Sequence, residues 1–360
     1  MPSYGPGSAG FGPTSIVVLA LLLAFVAAAT WIALHRPQLV ALADRMRTAD
    51  VVTRGRGWAE QRLRQPARAL ARRFSLSVVA GVALLVGLGV VVALGAAFTE
   101  VLDDVLEGDG IAALDQPATR WLASHRDLWL TWALKVVTVL GNSAVVVVPL
   151  IVVCAVVGWR RRSWLPAVLG LAGAGGVGLI IVVAKAVISR ARPARPFAVI
   201  AEDGFSFPSG HATGTAAIAL LCAWMLNRWL VTSWGGRVAV WAIAIGVTGA
   251  VGFSRVYLGV HYVSDVLAGW LLGAAWASAV MLVGSWWDDT RAAPDRVAAL
   301  SDPAPSLGRG VQGQHQRGEW QHRNQVDRPR DSGSGDEDAA ERQQRDDGAE
   351  GDQVASDRPA

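Results

Sequence analysis

Seven stretches of the chain are apolar and almost free of charge over lengths that suit a bilayer. They run Ser15 to Leu34, Ser75 to Phe98, Leu130 to Val157, Trp164 to Ile188, Ala212 to Leu230, Val238 to Phe253 and Val263 to Ser285. A helix of about 20 residues rising 1.5 Å per residue crosses roughly 30 Å of hydrocarbon, so length and lack of charge predict an all-α, polytopic membrane protein. The first span reads as a retained anchor rather than a signal peptide, because its flank is rich in Gly and Pro instead of basic residues and no tidy small-residue cleavage site follows.

Polar segments between the spans give an orientation. The stretch from His35 to Arg73 holds ten arginines against three acidic residues, whereas the next connection carries Glu100, Asp103, Asp104, Glu107 and Asp109. Basic short loops stay cytoplasmic. Alternating from there, Arg160 to Arg162, Arg228, Arg237 and the C-terminal tail fall inside, while the N-terminus and residues 99–129, 189–211 and 254–262 fall outside. Within the first outer connection, Leu114, Ala118, Trp121 and Leu122 lie at helical spacing opposite Asp115, Arg120 and Arg126, which predicts an interfacial helix over Ile111 to Arg126. Tryptophans such as Trp121, Trp132, Trp159, Trp164 and Trp234 cluster near span ends, as a headgroup belt does. From about Ala292 onward Gln, Gly, Asp, Glu and Arg dominate, and that tail is expected to be disordered.

Composition sharpens this picture. Hydrophobic residues make up 52% of the chain and the mean hydropathy is +0.35. The formal charge of +4 conceals a split: from Asp288 to the end there are 16 acidic and 10 basic residues, leaving the membrane-embedded part at net +10. Such a balance suits anionic headgroups; nucleic acid is a poorer partner because the basic residues sit in short inter-helix loops. Cys154 and Cys222 each lie inside an apolar run with no metal-ligand spacing, so they predict neither a disulfide framework nor a zinc site. Only Lys135 and Lys185 are lysines among 33 basic residues. Lys135 has no motif around it and is assigned no catalytic role.

Three polar clusters interrupt the apolar sequence, and the predicted topology puts all of them on one side of the membrane. Lys185-x6-Arg192-Pro193 closes the fourth span, and seven residues is nearly two helical turns, so both cations share a face if the helix continues that far. Alone, Lys185 also reads as a lysine snorkelling to the interface. Pro208-Ser209-Gly210-His211 opens the fifth span, where free amides and the helix dipole suit phosphate oxygens; Ser209 as an ordinary cap and His211 as an interfacial side chain explain the same tetrapeptide. Ser254-Arg255-x5-His261-x3-Asp265 places a histidine and an aspartate four residues apart, which lets Asp265 hold one imidazole nitrogen while the other stays free as nucleophile or base. The bland alternative is that Asp265 charges a helix start and His261 sits at the interface.

Taken in order, these residues resemble the three-part signature of the type 2 phosphatidic acid phosphatase and vanadium haloperoxidase superfamily. Lys185, Arg192 and Pro193, then Pro208, Ser209, Gly210 and His211, then Ser254, Arg255, His261 and Asp265 match all eleven signature positions, with gaps of 14 and 42 residues that also fit the family. The resemblance covers about Ser75 to Ser285. It implies a six-helix phosphatase core over residues 75–287 and leaves out the N-terminal transmembrane helix and Arg-rich cytoplasmic loop, read over 1–74, and the disordered cytoplasmic tail, read over 288–360. It further implies that His261 is a nucleophile forming a phosphohistidine, oriented by Asp265, and that His211 is the general acid. Lys185, Arg192, Ser209, Gly210 and Arg255 then bind phosphate, with no metal or other cofactor. Arg195, in a second Arg-Pro, competes with Arg192 for this role, and spacing from Lys185 favours Arg192.

A site at the outer boundary of the bilayer can take a phosphate headgroup while the tail stays in lipid, so a lipid phosphate is the expected substrate and membrane lipids the expected surroundings. Phosphatidic acid, phosphatidylglycerol phosphate and undecaprenyl diphosphate all satisfy this reasoning. A vanadate haloperoxidase and a non-enzymatic phosphate-binding membrane protein are the competing classes; seven spans argue against the first, and an intact acid and nucleophile pair against the second. Oligomeric state has no signal in the sequence.

Overall fold

A computed structural model describes residues 10–48, 62, 65 and 78–301. Among these residues the chain is helical, and its order is α1 (Pro13–Leu34), α2 (Arg36–Thr48), α3 (Val78–Glu107), a 3-10 turn (Gly110–Leu114), α4 (Asp115–Ser124), α5 (Leu128–Val139), α6 (Ser143–Arg161), α7 (Leu165–Ile188), a 3-10 turn (Arg195–Phe197), α8 (Gly210–Trp229), α9 (Trp234–Tyr257) and α10 (Val263–Ser301). Six of these helices are long and apolar enough to cross a membrane: α1, α3, α6, α7, α9 and α10. Helix α8, the expected fifth span, is long enough at 20 residues but more polar, since Thr213, Thr215, Asn227 and Arg228 lie within it. Its polarity has a reason. Helices α6, α7 and α9 pack on α8, and α10 closes against it where a Cβ at Gly273 would come within 2.4 Å of the Thr213 carbonyl oxygen. The chain is thus a six-helix core with α8 at its centre, plus the N-terminal helix α1 packed on α9.

Three expectations change. The span Leu130 to Val157 is two helices, because Leu140, Gly141 and Asn142 turn between α5 and α6. At 12 residues, α5 is about 18 Å long and cannot cross alone. The stretch His35 to Arg73 is not all loop, since Arg36–Thr48 is helical; apart from residues 62 and 65, the rest of it, like the tail beyond Ser301, lies outside the described residues. The helix expected over Ile111 to Arg126 is divided between the 3-10 turn and α4: Leu114 and Trp121 are exposed, as an interfacial helix requires, and so is Arg120, but Asp115 and Arg126, expected on its polar face, are buried. A membrane protein explains both. Lipid receives the apolar side chains, and these two charged ones turn inward where partners satisfy them.

Helix directions alternate, so one pole gathers the C-terminal ends of α7 and α9 with the N-terminal ends of α8 and α10. Helix α1 begins at this pole, where Gly12 and Ser15 bond the Asp127 carboxylate and Thr14 donates to the His125 carbonyl oxygen. At the opposite pole Arg228 pairs with Asp288 and Asp289, and Arg161 pairs with Asp288 and lies over the Trp229 ring.

Candidate active site

Every polar cluster singled out in the sequence reaches the first pole. Helix α7 stops at Ile188 because Ser189 turns into the left-handed region at φ 50°, so Arg192 is not on the helix face of Lys185. It arrives instead from the connecting segment, which folds back as Ser206 N–H bonds the Arg190 carbonyl and Val199 N–H bonds the Leu258 carbonyl. A backbone bond of 3.0 Å from Ser209 N–H to the Asp265 carbonyl then pins the start of α8 to the start of α10. The turn from α9 into His261 needs glycine: Gly259 has φ +73°, and a Cβ there would lie 2.0 Å from the Phe197 carbonyl oxygen.

His261 is buried, and its two nitrogens meet different partners. Nδ1 lies 3.4 Å from Asp265 Oδ2, and the Ser206 hydroxyl, 3.3 Å from Nδ1, donates to that same carboxylate oxygen. Nε2 lies 3.0 Å from Arg192 Nη1. A guanidinium offers only donors, so Nε2 accepts and the ring proton sits on Nδ1, facing Asp265. Burial depresses the imidazole pKa to about 4, with Asp265 opposing and Arg192 and Arg255 adding to the shift. The ring is therefore neutral at pH 7, with a lone pair held toward the cations.

Asp265 has a second set of partners that the motifs did not disclose. Its Oδ1 accepts from Arg190 Nη1 at 2.6 Å, Arg190 Nη2 pairs with Asp115 at 2.8 Å, and Asp115 accepts from both the amide and the hydroxyl of Ser264. Burial alone would lower the Arg190 pKa, but Asp265 and Asp115 outweigh it and raise it. The guanidinium also stacks 4.5 Å over the Tyr262 ring. Asp115, Arg190 and Ser206 thus fix the carboxylate that orients His261. The sequence pattern set Asp115 on the polar face of this segment, and only the fold shows it buried.

The cations converge on the same place. Lys185 donates to the Phe205 carbonyl. Arg192 also bonds the carbonyls of Asp203, Gly204 and Val260. Arg195, its rival, lines a cavity of about 480 Å³ that Arg192 and Glu202 line as well. Arg255, 1% exposed, donates to Thr138 at 2.9 Å and to Glu202 at 2.5 Å, and its Nε is buried without a partner. Glu202 lies 3.8 Å from Arg192 as well. Burial raises its carboxyl pKa, but the hydrogen bond and charge of Arg255 outweigh this and hold it below the ordinary value. This glutamate also escaped the sequence reading.

Ser209 occupies the N-cap of α8 but makes no cap bond; its hydroxyl is buried with no partner. A buried, unbonded hydroxyl at a helix start is costly unless a ligand completes it. His211, in the first turn of α8, lies within electrostatic reach of Arg255, Glu202, Arg192 and Lys185. Its ring rests on the break between α5 and α6: a Cβ at Gly141 would come 2.7 Å from His211 Cδ2 and 2.6 Å from Val251 Cγ1.

Comparison with known proteins places this arrangement. The PAP2 superfamily profile matches residues 163–289, which contain every residue of the three clusters. The chain is 32% identical over 177 residues to phosphatidylglycerophosphatase B of Bacillus subtilis, covering 49% of this chain and 86% of that protein. It is 38% identical over 128 residues to decaprenylphosphoryl-5-phosphoribose phosphatase of Mycobacterium tuberculosis, covering 35% and 63%. The crystal structure of a transmembrane PAP2-type phosphatidylglycerolphosphate phosphatase from Bacillus subtilis aligns with a TM-score of 0.49 at 30% identity, covering 53% of this chain and 93% of that one. With a relative matched across most of its own length, and the profile spanning the residues that build the site, the chain belongs to the PAP2 superfamily.

Proposed function

We propose that the protein is a membrane phosphatase that removes phosphate from lipid phosphate monoesters or diphosphates through a phosphohistidine at His261. The observation that carries this reading is the placement of the His261 ring: Nδ1–H faces Asp265, which accepts its hydrogen bond, and the Nε2 lone pair faces Arg192, with Arg255 within electrostatic reach. In-line transfer needs a nucleophile on one side of phosphorus, an acid on the other and positive charge around the equatorial oxygens. Nε2 attacks phosphorus, the P–O bond to the lipid breaks, and His211 gives the leaving oxygen its proton. Water then attacks the phosphohistidine with His211 as base, the N–P bond breaks, and inorganic phosphate leaves. Arg192, Arg255, Lys185, the Ser209 hydroxyl and the α8 amides supply the charge and hydrogen bonds that a metal would otherwise supply.

Arginines gathered with Asp288 and Asp289 at the opposite pole support a cytoplasmic placement for that end, and hence an extracytoplasmic active site. Named relatives act on phosphatidylglycerophosphate, decaprenylphosphoryl-5-phosphoribose and undecaprenyl diphosphate, and these with phosphatidic acid form the panel to test. Detergent-purified protein is expected to release phosphate from at least one of them in EDTA; no release by folded protein would overturn the reading. The division of labour is tested by rapid-quench trapping of acid-labile phosphoprotein. His261→Ala abolishes it for every substrate. His211→Ala slows an alcohol leaving group severely, by about 100-fold or more, and an activated aryl phosphate much less. Equal impairment on both leaving groups would remove His211 from the acid role.

A further inference from the structure

Between α6, α8 and α9 lies an apolar cavity of about 380 Å³, and nothing in the proposed phosphoryl chemistry uses it. It begins where the active site ends. Leu140, which lines it, precedes the Gly141 that packs on His211, and Thr215, also lining it, follows His211 by one helical turn. From Thr215 the lining continues through Ile218, Cys222 and Leu226, one face of α8, for about 16 Å. Small side chains on the facing helices make the room: Ala219 and Ala223 on α8, and Ala244 on α9. Pro149 widens the gap on α6, since it cannot donate to the Val145 carbonyl one turn back, and both residues lie on the wall. The wall is open to the surface that lipid covers, with Ile243 66% exposed.

The geometry points to this groove as the seat of the substrate's hydrocarbon chain, entering from the bilayer between α6 and α9 and ending under His211, with room for roughly a dozen methylenes along α8. The inference rests on the proposed phosphatase reading and names the part of the lipid that the site measures. Continuity with the catalytic histidine selects this occupant: a chain lying against Thr215 brings its phosphate to His211 within one turn. Lipid tails are as apolar as the groove, so the groove contributes position and length discrimination more than affinity. Length discrimination follows from the reach of the lining, which extends along α8 as far as Leu226.

Occupancy is read without turnover by a tetradecyl phosphonate carrying a mid-chain diazirine, photolysed on the full-length protein in detergent. Labels are expected on α8 between Thr215 and Leu226 and on α9 between Val240 and Val247, and they disappear when unlabelled tetradecyl phosphonate is added. Equal labelling by the matching neutral diazirine alcohol, or labels confined to other helices, would overturn the groove. The second measurement is turnover of an alkyl phosphate series. Ala223→Trp is expected to lower the ratio of tetradecyl to hexyl phosphate kcat/KM by at least about tenfold. An unchanged ratio in a protein that still hydrolyses hexyl phosphate would refute the groove and leave the phosphatase reading standing. Correct labelling with no phosphate release from any substrate would do the reverse.

Discussion

At His261 the chemistry is set by what each ring nitrogen touches, and the protonation state follows. In the native protein the imidazole takes a proton only near pH 4, against about 6.5 in an unfolded chain. Between these values the unfolded state binds a proton that the native state does not, so His261 destabilises the fold progressively as pH falls through that window, by at most about 1.4 kcal/mol per unit. Nitrogen-15 NMR of the histidines should show the neutral Nδ1–H tautomer at pH 7 and a midpoint near 4. Asp265→Asn should move that midpoint lower still, because the carboxylate raises it; a midpoint near 6.5 would contradict the burial that defines the site. The three polar clusters were legible in the sequence because each is a polar island in an apolar run, whereas the roles proposed for their residues come from the family resemblance. Arg190, Asp115, Ser206 and Glu202 were not legible, since their partners lie 53 to 75 residues away and only the folded connection brings them together.

Among elements, the break between α5 and α6 carries a consequence that hydropathy hid. Leu140, Gly141 and Asn142 sit inside a continuous apolar run, so length alone suggested one long span, yet the turn they make forms the shelf under His211. Glycine is required there by proximity and not by dihedral angle. Gly141→Ala is expected to push on His211 and Val251, costing about 1–3 kcal/mol and most of the turnover. Gly178→Ala, where an added Cβ meets open space, should leave both within experimental error. Comparable loss from the two substitutions, measured by phosphate release and thermal unfolding in one detergent, would refute the shelf. The spans themselves were readable because lipid imposes length and apolarity on any helix it surrounds. Helix α8, expected over Ala212 to Leu230 and found over Gly210–Trp229, was readable as well, although neighbours surround it and its composition answers to them.

For the whole molecule, the two poles have opposite characters: a pole of four helix ends and the start of α1 that gathers the proposed catalytic residues, and a pole where arginines meet Asp288 and Asp289. A reporter fused after Ser285 should be cytoplasmic, and a tag beside Asp203 should react with impermeant reagents added outside intact cells; the opposite pattern would invert the orientation. In the proposed outward orientation, the site meets a leaflet in which phosphodiester lipids are abundant and share the proposed substrate's chains. Glu202 gives it a way to ignore them. Its carboxylate already pairs with Arg255 Nη2 and lies near Arg192, so a headgroup enters by exchange, anion for anion. A diester brings one negative charge and gains little over the glutamate, whereas a monoester, with a second pKa near 6, brings nearly two at pH 7. Glu202→Gln should accordingly make phosphatidylglycerol a competitive inhibitor at concentrations the parent protein tolerates, and equal inhibition of both proteins would deny the effect. The resting pocket is in this respect an ion exchanger, charged with its own weak counter-ion, that admits only a stronger one.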